Sequence, residues 1–381
     1  MNKCLICNEK LRENPLMILD NMPASAQDIP DAYQVKNDHG LTLNLCQCPK
    51  CGLVQFDCKP VAYYRDVIRS GGYSSTMHDL RYSQYKHLIE TYHLEGKKFI
   101  EVGCGQGEFL SVLNEFPVKT FGIEHKATLV ELAKSKGLNV VQGFVENGEC
   151  KIQGAPFDVF LSFNFLEHQP NPNEMLEGIY NNLTDDGMGL ITVPSLEYIL
   201  EHDGYYELIR DHLAYYSFET LRFLLEKNGF QVLEQQMVNR DTIAMIVSKR
   251  EKVNISNLID SYSYIKKETL TYINSQLNIG RRVGIWGASH QGFTLAATAD
   301  LGEKVTYIID SAPFKQGKFA PTSHIPIISP DDAVKDPVDT IIIIAPGYTN
   351  EIASIIRKDF PSSTTIMVLK SNHLEQYERL S

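Results

Sequence analysis

The chain has 381 residues, of which 43% are hydrophobic and 22% are charged, a composition typical of folded globular proteins. Its length predicts two or three domains, and its formal net charge of −11 disfavours nucleic acid or anionic membranes as main partners, since both require a basic surface. No apolar run approaches a membrane span, and the polar start MNKCLICNEK lacks a signal-peptide core, so we expect a cytoplasmic protein.

The first segment, residues 1–75, is marked by paired cysteines. In a reducing compartment, such pairs indicate a metal clip more than a disulfide framework. Four thiolates would close the coordination shell of a structural zinc ion. The gap between the pairs is longer than in the usual zinc ribbon, so Cys46 competes for the site, and an iron site or plain buried thiols are the alternatives. The four predicted ligands are Cys4, Cys7, Cys48 and Cys51.

From residue 76 to 250, strand-like and helix-like runs alternate. KFIEVG, KTFGIE, FDVFLSF and GLITVP have the apolar character of strands, whereas TLVELAKSKG and ETLRFLLEKNG have helical periodicity. This alternation predicts an α/β fold with a doubly wound parallel sheet. Residues 251–278 predict an amphipathic helix. After it the alternation restarts, so we expect a helical linker and a second, smaller Rossmann-like α/β domain within residues 251–381.

A glycine-rich stretch, FIEVGCGQGEFL, lies between the first predicted strand and helix of the central segment. Gly103, Gly105 and Gly107 would let backbone N–H groups and the helix N-terminus approach a ligand. Glu124 ends the next strand, where its carboxylate could accept hydrogen bonds from ribose hydroxyls. Glu101 would repel a pyrophosphate but suits a cationic amino-acid cofactor. The pattern resembles class I methyltransferases, which bind S-adenosylmethionine here; an empty Rossmann-type turn or an NAD site is the alternative.

Longer stretches extend the resemblance over nearly the whole chain. CPKCGLVQ, EVGCGQGEFL, GIWGASHQGFTL and YIIDSAPFKQGKFAPTSHIPI together resemble the sugar-nucleotide C-methyltransferases, which add a branch methyl group to keto-deoxysugars. The resemblance implies a zinc-binding domain at 1–75, a methyltransferase domain at 76–250 and a substrate-binding Rossmann-like domain within 251–381. It also implies S-adenosylmethionine and structural zinc as cofactors, a nucleotide sugar as substrate, and a monomer or small homo-oligomer.

The family's sugar site matches a histidine and an acid–histidine pair of this chain. Moving a methyl group to carbon requires a base that removes a proton beside a ketone while the enolate oxygen is stabilised. The resemblance makes His212 the candidate base, Asp211 its orienting partner and His168 a hydrogen-bond donor to the oxyanion, although single histidines are often structural. The remaining expected contacts are Asn164 for the cofactor, and Tyr73, Ser74, Tyr215 and Lys315 for the substrate.

Three departures from the family pattern leave the acceptor open. Ile209 stands where the family has tyrosine, Asp211 where it has glutamate, and a Gly-Gly pair where it has serines. O- or N-methylation of a sugar or other small metabolite is therefore the nearest alternative. The C-terminal glycines Gly284 and Gly287 are spaced imperfectly for a dinucleotide fingerprint, but an NAD-dependent enzyme remains a second alternative, and a non-enzymatic scaffold a third.

Overall fold

The computed structural model describes residues 2–66 and 74–377. The chain divides into two compact units, Met1–Glu251 and Lys252–Ser381. Whether residues 1–75 fold as a domain of their own stays a prediction. Within the described ranges, every helix is too short or too polar to cross a membrane.

The described residues of the first unit form two sheets and six α-helices. Its strands are β1 Met17–Met22, β2 Leu41–Gln47, β3 Val54–Phe56, β4 Lys98–Val102, β5 Lys119–Glu124, β6 Val140–Gln142, β7 Phe157–Phe163, β8 Leu183–Pro194, β9 Ala214–Tyr215, β10 Phe230–Val238 and β11 Thr242–Lys249. Its helices are α1 Ser75–Tyr92, α2 Glu108–Leu113, α3 Ala127–Ser135, α4 Pro172–Asn181, α5 Leu196–Glu201 and α6 Phe218–Lys227. Short 3₁₀ turns lie at Gln34–Asn37, Leu166–His168 and Tyr205–Glu207.

The larger sheet has seven strands in the order β10-β11-β8-β7-β4-β5-β6. Strands β4 to β8 run parallel, which confirms the predicted doubly wound α/β fold. The sheet is mixed at one end, where β11 runs antiparallel to both β8 and β10. Asn239 and Arg240 adopt positive φ angles of 45° and 72°, so the chain reverses in a tight turn between β10 and β11.

The parallel strands bring the predicted cofactor residues to one edge. Glu101 lies near the end of β4, Glu124 ends β5, and Asn164 directly follows β7, which pairs with β4. In an open α/β sheet, ligands bind outside the carboxyl ends of the strands. The topology therefore places these three side chains at the edge where a ligand is expected.

The smaller sheet is antiparallel, in the order β1-β2-β3-β9. Its last strand, β9, begins two residues after His212, and Val54 in β3 pairs with Tyr215. The Phe56 N–H also donates to the Leu213 carbonyl at 2.9 Å. The N-terminal segment of the chain thus fixes the backbone that directly follows the candidate base.

The strands of the second unit are β12 Val283–Trp286, β13 Ile308–Ile309, β14 Ile327–Ile328, β15 Thr340–Ile343, β16 Thr365–Leu369 and β17 Leu374–Gln376. In the described part of this unit they form one six-stranded sheet, in the order β14-β13-β12-β15-β16-β17. All neighbouring pairs are parallel except β16 and β17, and the order is that of a Rossmann-like domain, as predicted. The helices are α7 Ser256–Asn278, α8 His290–Thr298, α9 Pro330–Lys335 and α10 Thr349–Asp359.

The turn between β12 and α8 depends on a close helix–turn contact. A Cβ atom added to Gly292, in the first turn of α8, would lie 2.2 Å from the carbonyl oxygen of Gly287. The carboxylate of Asp310 accepts hydrogen bonds from the Ala288 N–H at 2.9 Å and from the Lys315 ammonium at 3.0 Å. The turn is therefore held by contacts within the second unit itself.

Candidate active site

The glycine loop after β4 has the backbone that its sequence predicts. Gly103, Gly105 and Gly107 have φ angles of +71°, +58° and +84°, a region that side chains with a Cβ rarely adopt. A Cβ on Gly103 would lie 3.3 Å from the ring of Phe165, so glycine keeps this wall of the loop open. Glu101 is fully buried beside the loop.

The carboxylate of Glu124 is held by the main chain. One oxygen accepts the Gly105 N–H at 3.0 Å and the other accepts the Lys126 N–H at 2.9 Å. Each carboxylate oxygen can accept a further hydrogen bond, so the ribose contact predicted from the sequence is chemically available. Glu124 also ties the glycine loop to the start of α3, which explains why an acid is useful here before any ligand binds.

Asn164 adopts a positive φ of 47° directly after β7, a conformation that asparagine tolerates better than most residues. Its side-chain oxygen accepts a hydrogen bond from the Thr192 hydroxyl at 2.8 Å. This bond leaves the amide NH₂ group to act as a donor. A small pocket adjoins this region and includes Gly103 and Glu124 in its walls; its other lining residues are Arg65, Val102, Ile123, His125, Gly143, Phe144, Val145 and Phe165.

The four predicted cysteine ligands form one cluster. The sulfur atoms of Cys4 and Cys51 lie 3.4 Å apart, as do those of Cys7 and Cys48. All four sulfur atoms lie within 4.8 Å of one another, close to the spacing of about 3.8 Å expected for thiolates around a tetrahedral ion with bonds of about 2.3 Å. The donor set therefore fits a metal ion and constitutes a possible four-cysteine metal site.

The second cysteine knuckle presents N–H groups to sulfur. Burial opposes ionisation of Cys48, but the N–H groups of Cys51 and Lys50, 3.5 Å and 3.4 Å from its sulfur, act together with the Cys7 and Cys51 thiols and lower the pKa of Cys48 to about 7. Cys46 lies outside the cluster, and its thiol donates to the Asn44 carbonyl at 3.8 Å. The structure thus favours the predicted four ligands over Cys46.

Three side chains with polar atoms meet near the end of β7. Glu167, His168 and His212 each place one carboxylate oxygen or ring nitrogen within 4.8 Å of the other two. The rings of His168 and His212 contact edge to face, with centroids 4.8 Å apart. The backbone joins the two segments, since the Leu213 N–H donates to the Glu167 carbonyl at 2.8 Å. The structure therefore brings the two predicted histidines together and adds Glu167, which sequence reasoning did not single out.

The tautomer of His168 contradicts the role expected for it. Its Nδ1 lies 2.8 Å from the main-chain carbonyl oxygen of Asp211. Because a carbonyl can only accept, Nδ1 carries the proton, and in the neutral ring Nε2 is an acceptor. Burial lowers the pKa of His168, so the ring stays neutral near pH 7. His168 in this state cannot donate a hydrogen bond to an oxyanion through Nε2.

Asp211 does not orient His212 through its carboxylate, as the sequence led us to expect. One carboxylate oxygen accepts the Tyr63 hydroxyl at 2.5 Å, and the other accepts the Ala26 N–H at 2.9 Å. The reason is the direction of the side chain, which points to the N-terminal segment while the main-chain carbonyl points to His168. Asp211 therefore holds the neighbouring backbone.

His212 is a neutral imidazole without a hydrogen-bond partner among the described residues. Burial, and to a lesser degree the neighbouring His168, lower its pKa to about 3. Its ring contacts His168 and, more distantly, Tyr215. An unprotonated ring nitrogen with no partner is in the form that a general base requires.

The predicted substrate contacts fare differently. Tyr215 is a core residue, and the expectation that it binds substrate was wrong: it is 2% exposed, and its hydroxyl is bonded to the N–H and carbonyl of Ile209 at 2.9 and 3.2 Å. Ser74 caps α1 by accepting the Met77 N–H at 3.2 Å. Tyr73 and the Gly-Gly pair before it lie outside the described residues. Lys315 lies in the second unit, paired with Asp310.

Comparison with known families agrees with this geometry. Residues 76–235 match the methyltransferase domain family, and residues 242–368 match the C-methyltransferase C-terminal domain family. The first match lies within the first unit, whereas the second begins at β11 of that unit and covers most of the second unit. The chain belongs to the S-adenosylmethionine-dependent C-methyltransferases.

Curated relatives of this C-methyltransferase include the C-methyltransferase NovU of Streptomyces niveus, 23% identical over 287 residues that cover 68% of each chain. A carboxy-S-adenosyl-L-methionine synthase of Campylobacter jejuni is 26% identical over 178 residues, 45% of this chain and 70% of the relative. A solved structure, an N1-methyltransferase for 1,6-didemethyltoxoflavin from Burkholderia thailandensis, aligns with a TM-score of 0.39 and 17% identity, covering 54% of this chain and 97% of that one.

Sequence reasoning missed several residues of the methyltransferase site. Phe144 and Phe165, which line the small pocket, follow β6 and β7 closely, and this position was the available signal. Glu167 lies beside a predicted site residue within the motif FLEHQPN, so it could have been named. Tyr63 is far from Asp211 in sequence, and no local pattern indicates their contact.

Proposed function

We propose that this enzyme methylates a carbon atom beside the ketone of a nucleotide-linked keto(deoxy)sugar. The observation that carries the proposal is the His212 ring, which is neutral, half-buried and without a hydrogen-bond partner among the described residues. The chain's membership of the C-methyltransferases supports transfer to carbon. The nucleotide sugar rests on the sequence resemblance over the N-terminal, central and C-terminal segments.

The residues at the strand ends suit the cofactor. Glu101 would pair with its amino group, the glycine loop would contact it through the backbone, and Glu124 would accept its ribose hydroxyls. Asn164 would contribute its free amide donor. When bound, S-adenosylmethionine supplies a methyl group on a positively charged sulfur, which an electron-rich carbon can accept.

His212 would perform the proton transfer. Its ring nitrogen accepts the proton from the carbon beside the ketone, and the electrons of that C–H bond form the carbon–carbon double bond of an enolate. The methyl group is then accepted at that carbon, and the proton leaves His212 for solvent. In the free enzyme, the low pKa of His212 keeps its ring neutral. An anionic substrate beside the ring would raise that pKa.

Isotope exchange tests this function. Enzyme, S-adenosylhomocysteine and a panel of nucleotide ketosugars are incubated in D₂O, and mass spectrometry follows deuterium uptake. We expect uptake of deuterium beside the ketone with wild type and not with His212→Asn. An enzyme that methylates oxygen or nitrogen has no reason to exchange this proton, so methyl transfer without exchange would contradict the proposal.

We also propose that the four-cysteine cluster holds structural zinc. Four thiolates leave no position open for substrate or water, which separates a structural site from a catalytic one. Leu5 and Ile6, between the first two cysteines, are buried in the same core as the strands of the larger sheet. The metal would therefore stabilise the N-terminal segment against the sheet that carries the active site.

A further inference from the structure

Asp211 has a buried carboxylate whose two oxygens are both engaged with the N-terminal segment. It is 2% exposed, with the Tyr63 hydroxyl 2.5 Å from one oxygen and the Ala26 N–H 2.9 Å from the other. These partners lie 148 and 185 residues away in sequence. A buried carboxylate whose two oxygens are hydrogen-bonded fixes the groups around it. Losing either hydrogen bond would leave a buried charged oxygen without a partner, which is energetically unfavourable.

The hydrogen bonds around Tyr63 can be assigned in only one direction. The carboxylate of Asp211 accepts, so Tyr63 donates its hydroxyl proton there. Ser25 Oγ lies 2.6 Å from the Tyr63 oxygen and must then donate to it. Ser25 Oγ in turn accepts the Asp28 N–H at 2.6 Å. The result is a directed chain from residues 25–28 through Tyr63 to Asp211.

The main chain of Asp211 continues this connection to the histidines. Its carbonyl accepts the Nδ1 proton of His168 at 2.8 Å, which fixes the tautomer of that ring. The next residue is His212, whose ring lies against His168. A shift of the Asp211 backbone would therefore change the position of both imidazoles and release the His168 tautomer.

We propose that Tyr63 is a positioning residue: by holding the Asp211 carboxylate, it fixes the backbone that orients His168 and carries His212. The inference rests on the proposed function for its catalytic consequence, but not for its structural one. Among the described contacts, the Tyr63 hydroxyl bonds to Ser25, Gln27 and Asp211 and to neither histidine ring, so its effect passes through Asp211. It also gives the N-terminal segment a direct role in arranging the reactive groups.

The electrostatics around Tyr63 point the same way. Burial and the bond to Asp211 raise the pKa of Tyr63, so its hydroxyl remains a donor through neutral pH. Among the described residues, the titratable groups facing His168 are Glu167, Asp211 and His212. The Asp211 charge raises the pKa of His168 against the effect of burial. Removing the Tyr63 hydroxyl would take one hydrogen-bond donor away from the Asp211 carboxylate, whose negative charge would then act more strongly on His168.

The test compares Tyr63→Phe with Tyr92→Phe. Tyr92 is a matched control, because its hydroxyl also donates to a carboxylate, that of Glu234, at 2.7 Å, outside the histidine cluster. Histidine-labelled enzyme without substrate is titrated by NMR, with the His168 signal assigned from His168→Gln. In Tyr63→Phe we expect partial loss of the Nδ1–H tautomer of His168 and a shifted His168 titration. Tyr92→Phe, which can disturb His87 because both residues bond to the Glu234 carboxylate, keeps the wild-type His168 signal.

Kinetics supply the second readout. We expect kcat of Tyr63→Phe to fall about tenfold or more, with the affinity for S-adenosylhomocysteine within about twofold of wild type. If Tyr63→Phe does not fold, Ser25→Ala weakens the same chain and should move both readouts in the same direction. A His168 signal or kcat indistinguishable from that of Tyr92→Phe would overturn the proposal. If wild type methylates no ketosugar, the proposed function fails, and the NMR titration still decides the role of Tyr63.

Discussion

At the scale of single residues, the proposed base is an imidazole held in an unusual state. His212 has a pKa near 3, set by burial and by His168, while His168 is locked by one carbonyl bond in the tautomer that accepts at Nε2. Both rings are therefore neutral around pH 7. The cluster can accept a proton from substrate. Because both rings are neutral in the free enzyme, neither attracts an anion.

Replacing His212 by Asn should remove the base without disturbing the cofactor loop. We expect kcat for methyl transfer to fall by on the order of 10²-fold or more, with little change in the affinity for S-adenosylhomocysteine. Steady-state kinetics and calorimetry measure the two quantities. His202→Asn is the control, because His202 is exposed and bonded to the Tyr198 carbonyl on α5. Equal kcat in the two variants would remove His212 from the mechanism.

The histidine pair should also make stability depend on pH. Both pKa values lie below the ordinary 6.5, so the unfolded chain binds more protons than the folded one below that pH. The free energy of unfolding should therefore be fully retained above about pH 6.5 and fall as the pH drops toward 4, by up to about 1.4 kcal/mol per pH unit for His212, with a contribution of the same sign from His168. Urea unfolding at several pH values measures this slope.

A double variant of the two histidines isolates this effect, with His202→Asn again as the control. Replacing His168 and His212 together by Asn should flatten the pH dependence between 6.5 and 4 relative to His202→Asn. An unchanged slope would show that carboxylates elsewhere cause the acid sensitivity.

At the scale of elements, two short turns depend on close backbone contacts. The cysteine knuckle at residues 48–51 brings N–H groups to sulfur, and the turn before α8 brings a helix into contact with the backbone of Gly287. Each turn is specified by one or two residues in the sequence. Each can be broken by a change too small to alter the surrounding strands.

The metal site provides a matched pair of variants. Cys48→Ala removes one ligand of the cluster, whereas Cys46→Ala changes a buried thiol outside it. Elemental analysis should find about one zinc per chain in Cys46→Ala, and substantially less in Cys48→Ala, with a lower Tm, because structural zinc contributes to folding. Loss of the metal from Cys46→Ala with retention in Cys48→Ala would show that the ligand set is wrongly assigned.

Gly292→Ala tests the turn in the second unit. The new Cβ would meet the Gly287 carbonyl, so we expect a loss of about 1–3 kcal/mol in the free energy of unfolding. Gly347→Ala, with nothing within 4 Å of the new Cβ, should cost less than about 0.5 kcal/mol. The chain has one tryptophan, Trp286 in β12, so its fluorescence reports on this unit directly. Equal midpoints would show that the close contact is not required.

Sequence patterns predict the regular elements better than the contacts between them. The strands flanking the glycine loop and the long helix α7 follow from apolar periodicity, and the cysteine cluster follows from two C-x-x-C pairs. Strand β10 was missed, because FQVLEQQMV is a half-exposed edge strand rich in glutamine. The prediction that the Asp211 side chain points toward His212 was wrong, since partners far away in sequence determine its direction.

At the scale of the whole molecule, the motifs that resemble the family are distributed over the two units. The first unit holds the cofactor loop, the histidine pair and the cysteine cluster, and the second is a Rossmann-like sheet that matches the C-methyltransferase C-terminal domain family. Asp310, the acid that a dinucleotide would use, is bonded to Ala288 and Lys315. The match to the methyltransferase domain family lies within the first unit, so the chemistry is assigned to that unit.

The most direct test of this account identifies the atom that receives the methyl group. The enzyme is supplied with S-adenosylmethionine carrying a ¹³C-labelled methyl group and with a panel of nucleotide ketosugars, and the product is analysed by NMR. We predict a labelled methyl group bonded to a ring carbon next to the ketone carbon. A labelled methyl group found on oxygen or nitrogen would contradict the central claim.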